Sequence, residues 1–280
     1  MHPKSTGPDA GPIRADEAEV LPPDERFDAL TSGLIEGVRS RDDLAGLVLL
    51  GSASDAGEYR RDEWSDHDFF VLTHAGRGEE ARADLGWLPD RHRVVLIARE
   101  GAIGFVAMYD DGHVFEFALA EPPELAGAVA GDASVVVDSA DVTARLVAAG
   151  QQEAAARDAF DPVNDTNLLL VKIFLGMGRT RRGEVVNGGQ FVRFHAVTHL
   201  VRAIRALHPG AEPGSRDRID PTRRFEQDYP EWAAEIADAL DRPVADAARS
   251  LFDLAVRILR PGWDEFPDRA ADAIRRRLAW

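Results

Sequence analysis

The sequence contains no cysteine, and only two lysines stand beside 31 arginines. The first absence excludes a disulfide scaffold, thiolate metal sites and a cysteine nucleophile. A membrane helix needs about 20 consecutive apolar residues; the longest apolar run here, near Leu168 to Met177, is shorter and is broken by Lys172. The opening MHPKSTGPDAGPIRADEAEV has no apolar core of the kind a secretory leader carries, so a cytoplasmic location is expected. A Walker phosphate loop, a Gly-x-Gly-x-x-Gly turn and a Gly-x-Ser-x-Gly elbow are also missing, which removes the commonest nucleotide-binding and hydrolase signatures. Positive charge is scarce as well: 33 basic against 49 acidic side chains give a net charge of −16. The imbalance is one-sided, with 13 basic and 29 acidic residues in 1–150 and 20 of each in 151–280. Such a field disfavours nucleic acid and draws in metal ions and cationic small molecules, although acidity also serves solubility alone.

With 280 residues, 45% of them hydrophobic, the chain can bury a full core. Residues 1–20 are rich in Pro, Gly and charge and are expected to be a flexible tail. From Asp24 the apolar spacing of Phe27, Leu30, Leu34, Ile35 and Val38 predicts a helix. LAGLVLLGS, Asp66 to Thr73, RVVLIA (93–98) and SVVVD (134–138) read as strands, with a helix from Asp141. FVAMYDDGHVFEFALA reads as a hairpin turning at Asp110-Asp111-Gly112. Beyond residue 150 only helical periodicity is seen, punctuated by Pro162, Gly183, Pro209-Gly210 and Pro261-Gly262. The expected class is α+β: a mixed sheet with flanking helices over 21–150, then a helical bundle over 151–280.

The chemistry concentrates in GSASDAGEYRRDEWSDHDFFVL, residues 51–72. Strand side chains alternate, so Asp66 and Asp68 share a face, about 6–7 Å apart along the backbone. Two carboxylates that close repel unless a cation lies between them, a lysine or a metal ion. In HVFEFALA, Glu116 is the one charge on a strand otherwise apolar on both faces. It is therefore expected to be desolvated, with a raised pKa suited to a proton acceptor; the alternative is a solvent-facing residue on an edge strand. Three carboxylates on one sheet would suit Mg²⁺, which takes oxygen ligands and bridges carboxylates to phosphates. Gly51-Ser52 ends the preceding strand, where glycine admits close approach and the hydroxyl and N–H groups can hold a phosphate oxygen.

A Gly-Ser, an Asp-x-Asp at a strand head and a later acidic residue flanked by apolar ones, in that order, resemble the nucleotidyltransferase superfamily that includes DNA polymerase beta. The long spacer between Gly51-Ser52 and Asp66-His67-Asp68 is similar to that of antibiotic nucleotidyltransferases, notably lincosamide nucleotidyltransferases and aminoglycoside 6-adenylyltransferases. RTRRGEVVNGGQFVRFHAVTHLVRAI is similar to their helical domain, and the likeness spans roughly residues 25 to 260. The resemblance implies that Asp66 and Asp68 bind metal, that Glu116 is the third carboxylate, and that Gly51 and Ser52, with Ser65 nearby, hold the nucleoside triphosphate. It also implies transfer of a nucleoside monophosphate, AMP from ATP, to a hydroxyl of a small cationic antibiotic.

Lys172 either snorkels to the surface or meets an anion, and some related enzymes place a helical-domain lysine on the triphosphate. His195 and His199 have the four-residue spacing of a zinc pair, but no third ligand is evident and core or interface roles fit better. Competing readings are a nucleotidyltransferase acting on a protein or an endogenous metabolite, and a binding protein whose carboxylates form structural ion pairs. Homodimerisation is left open.

Overall fold

The computed structural model describes residues 21–125, 132–139, 141–142, 144, 160–208 and 220–280. The tail expected over 1–20, most of the helix expected from Asp141 and the Pro209-Gly210 boundary lie outside the described residues. The chain divides into two compact units, Met1–Gly150 and Gln151–Trp280.

In the first unit, helix α1 (Pro23–Arg39) opens with proline at its first position, Asp24 and Glu25 in its first turn and Arg39 in its last, which suits the helix dipole at both ends. Its buried stripe is Phe27, Leu30, Leu34 and Val38. Six strands follow: β1 (Leu44–Leu50), β2 (His67–Thr73), β3 (Val94–Glu100), β4 (Gly104–Tyr109), β5 (Val114–Ala120) and β6 (Ala133–Asp138), with a short helix α2 (Gly78–Ala83) after β2. They form one mixed sheet in the order β3-β4-β5-β2-β1-β6. Only β2 and β5 pair in parallel; every other neighbour is antiparallel. Parallel neighbours need a long connection, and here it is built from α2 and the β3–β4 hairpin.

Strand alternation sorts the two faces. Phe69 and Val71 of β2 and Phe115, Phe117 and Leu119 of β5 join Phe27, Leu30 and Leu34 of α1 in the main core of this unit. The rings of Phe69 and Phe117 stack with centroids 4.9 Å apart. Val48 and Leu72 form a smaller cluster with Val142, against which Leu50 and Phe70 pack.

In the second unit, helix α3 (Pro162–Arg181) is capped by Asp161, whose side chain accepts from the amides of Val163 and Asn164 at 3.0 Å each. Residues 185–207 run as α4 (Val185–Gln190), a π-helical turn (Phe191–Ala196) and α5 (Val197–Leu207). Four further helices, α6 (Phe225–Asp228), α7 (Pro230–Leu240), α8 (Val244–Leu259) and α9 (Asp268–Leu278), are described. Leu169, Ile173, Val192, Leu200, Leu251 and Phe252 lie in their shared core, and the described residues of this unit include no strand. Among the described residues no helix is long and apolar enough to cross a membrane.

Candidate metal centre

In-register pairing of β2 with β5 builds the site. Asp68 is the register partner of Glu116, and on the other side of β2 Leu50 is the partner of Asp68. Asp66 precedes the first residue of β2 by one position and shares the Asp68 face by alternation. One carboxylate oxygen from each of Asp66, Asp68 and Glu116 lies within 4.8 Å of the other two, the single grouping among the described residues that could hold a metal ion. Asp66 and Asp68 are half-buried and Glu116 is exposed.

The structure takes one part of each sequence reading of Glu116. Strand β5 lies between β4 and β2, so Glu116 is not on an edge strand. Yet the strand is not covered on both faces: Phe115 and Phe117 point into the core, while Glu116 faces solvent.

Gly51 stands beside this cluster. Its φ is +53°, a left-handed backbone that favours glycine, and a Cβ there would lie in ordinary contact, 3.5 Å from Asp68 Oδ2. Its N–H donates to Asp132 O at 2.9 Å, and the Ser54 hydroxyl donates back to Gly51 O at 2.8 Å. Gly57 closes the loop tightly: a Cβ on it would fall 1.8 Å from Gly51 O. Ser52 is half-buried, with Oγ 3.5 Å from the carbonyl oxygen of Asp66. Ser65 is occupied locally, its hydroxyl donating to Asp62 Oδ1 at 3.2 Å and accepting from the Asp62 amide at 2.9 Å. The spacer also exposes two aromatic side chains, Tyr59 and Trp64, the latter 85% exposed two positions before Asp66.

Lys172 belongs to the second unit. It is half-buried on α3, with Nζ 5.4 Å from the centre of the Phe191 ring. His199 bonds through Nδ1 to Asp165 Oδ1 at 2.9 Å, and His195 packs edge-on against Phe191 and Phe194. This unit also holds an open cavity of about 510 Å³, with Phe194, Phe225 and Ile236 in its wall.

The residues that sequence reasoning missed are His67 and His113. Burial pushes both imidazoles below their ordinary pKa of 6.5, His67 well below it. The only local signal was a histidine where a strand head between two aspartates could have carried any residue.

The donor set is three carboxylates and no nitrogen or sulfur, which suits a hard divalent cation such as Mg²⁺ or Mn²⁺. The structure thus brings three carboxylates together, a candidate oxygen-only cation site, at the head of a parallel strand pair in an α+β unit. No family model matches the chain, and no curated protein matches it. Among solved structures it is similar to a nucleotidyltransferase-like protein from Exiguobacterium sibiricum (12% identity, 83% of this chain and 75% of that one, TM-score 0.35). It is also similar to an aminoglycoside 6-adenyltransferase from Bacillus subtilis (9% identity, 89% and 90%, TM-score 0.28). A third is the CD-NTase CdnG from Bradyrhizobium diazoefficiens in complex with GTP (12% identity, 93% and 95%, TM-score 0.30). At these scores the likeness carries no functional weight; the side chains do.

Proposed function

We propose that this chain is a divalent-cation-dependent nucleotidyltransferase that moves a nucleoside monophosphate, AMP from ATP, onto a hydroxyl of a small cationic acceptor, an antibiotic of the lincosamide or aminoglycoside kind. The observation that carries the reading is the convergence of Asp66, Asp68 and Glu116 to within 4.8 Å beside Gly51. The order of these residues along the chain supports it, since Gly-Ser, Asp-x-Asp and a third strand carboxylate follow one another as in that superfamily.

In this reading Asp66, Asp68 and Glu116 hold the cation, Glu116 as the third carboxylate within reach of the other two. When bound, the cation supplies charge stabilisation at the α-phosphoryl group and the departing pyrophosphate. The Ser52 hydroxyl, at the turn after Gly51, holds a phosphate oxygen. The net charge of −16 carried by residues 1–150 draws a cationic acceptor toward this half of the chain. The catalytic unit is residues 21–150 and the acceptor-shaping unit is residues 151–280.

Incubating the protein with ATP, Mg²⁺ and a panel of hydroxyl-bearing antibiotics tests the proposal. Pyrophosphate release that needs both an acceptor and Mg²⁺ is the expected result. Release of inorganic phosphate alone, or no turnover with any member of the panel or with endogenous metabolites, would contradict it.

A further inference from the structure

The side chain between the two aspartates points the other way. Alternation sends His67 through to the core face of the sheet, where it is fully buried. Its ring stacks on Phe27 of α1, with centroids 3.8 Å apart and planes inclined by 20°. Both ring nitrogens are engaged: Nε2 lies 2.8 Å from Thr31 Oγ1, and Nδ1 lies 2.7 Å from His113 Nε2.

The direction of these bonds follows from the end of the line. Thr31 Oγ1 is 3.1 Å from the carbonyl oxygen of Phe27, and a carbonyl only accepts, so the hydroxyl hydrogen goes there. Thr31 Oγ1 then accepts from His67 Nε2–H. In a neutral imidazole the other nitrogen carries the lone pair, so His67 Nδ1 accepts from His113 Nε2–H. One directed line therefore joins α1, the head of β2 and the residue immediately before β5.

That line bears on the carboxylates because of where the ladder stops. The register pairs of β2 and β5 begin at His67 with Phe115 and continue with Asp68 and Glu116. Asp66 lies outside the ladder, and the contact of its carbonyl with Ser52 Oγ is long, at 3.5 Å. The residue that anchors the backbone next to Asp66 is His67. His113 immediately precedes β5, three positions before Glu116, the third carboxylate.

We infer that His67 is a positioning residue of the candidate metal centre: its hydrogen bonds to Thr31 and His113 lock the heads of β2 and β5 together and fix the spacing at which Asp66, Asp68 and Glu116 bind a divalent cation. This rests on the metal-dependent reading of the site above. Groups that orient metal ligands from behind typically change metal affinity 10–100-fold when removed, because ligand distances tolerate only a few tenths of an ångström.

The test uses Mn²⁺ alone as the probe on the full chain, with affinity taken from the electron paramagnetic resonance signal of the free ion and ligand symmetry from that of the bound ion. His67→Phe keeps the stack on Phe27 and removes both hydrogen bonds; His113→Phe cuts only the link toward β5 and serves where the first variant does not fold. Thermal melting with an intact cooperative transition qualifies each variant. The expected result is Mn²⁺ binding by the parent protein that Asp68→Asn removes, and affinity about 10–100-fold weaker in the histidine variants, with a broadened bound-ion spectrum. Unchanged affinity and spectrum in a folded histidine variant, with the parent still binding, would overturn this inference alone. A parent protein that binds no Mn²⁺ would overturn the metal-dependent reading and this inference with it.

Discussion

Glu116 sits between two core phenylalanines yet faces solvent, and that placement decides what substitution there should do. Glu116→Gln keeps the volume and removes a charged ligand oxygen. Divalent-cation binding should weaken and nucleotidyl transfer should fall with it, read from Mn²⁺ titration alongside turnover; a fall of about 10²–10⁴-fold in transfer is what loss of a general base alone would give. Weakened transfer with unchanged cation binding would instead make Glu116 a base, and no change in either would remove it from the site. At His67 the consequence is for stability. Its pKa is depressed in the folded chain, so below its ordinary value of 6.5 the unfolded chain takes up a proton that the folded chain refuses. Stability from this group is therefore present above about pH 6.5 and is lost as pH falls below it, at up to about 1.4 kcal/mol per pH unit. Denaturant melts between pH 7.5 and pH 5 should show a shallower loss in His67→Phe than in the parent; equal slopes would mean that His67 does not carry the effect.

Elements differ in how much of them was legible in the sequence. The alternation in DHDFFVLT, the Asp110-Asp111-Gly112 turn and the Phe27-Leu30-Leu34-Val38 stripe act through neighbours a few positions away, and strands β2 and β5 and helix α1 appear where those patterns place them. The parallel pairing of β2 with β5 joins residues nearly fifty positions apart, and no local pattern sets its register. For that reason Asp66 and Asp68 read as a pair from alternation alone, while their meeting with Glu116 follows from the sequence only as strands of one sheet, with the resemblance in support, and not from any local pattern. The leading expectation of a desolvated Glu116 fails because flanking phenylalanines report on the opposite face of the strand; the alternative has its solvent exposure right and its edge position wrong. The π-helical turn at Phe191–Ala196 had no turn residue to announce it. Nor could periodicity reveal Arg205 of α5, which is only 3% exposed, donates to the carbonyl oxygens of Pro221 and Arg223, and pairs with Asp228 of α6. Removing one partner of a buried pair leaves an uncompensated charge. Asp228→Ala should accordingly destabilise the second unit by about 3–5 kcal/mol, measured by chemical denaturation. A cost below about 1 kcal/mol would show that the backbone carbonyls alone compensate Arg205.

Across the whole molecule the excess negative charge belongs to residues 1–150 while the remainder is balanced, so attraction of a cationic acceptor should be a long-range effect of the first unit. Raising ionic strength from about 0.01 M to about 0.15 M shortens the Debye length from about 30 Å to about 8 Å. KM for a cationic acceptor should rise over that range, with that of a neutral analogue flat; matching behaviour of the two would count against steering. The central claim is that Asp66, Asp68 and Glu116 hold a cation for nucleotidyl transfer, and the most direct test follows the label from ATP marked at the α-phosphorus. With Mg²⁺ and a cationic hydroxyl acceptor, the account predicts that the label moves onto the acceptor with one pyrophosphate released per transfer, and that Asp68→Asn, folded as the parent is, abolishes it. Near-native transfer by Asp68→Asn, or transfer of the γ-phosphoryl group in place of the α, would contradict it.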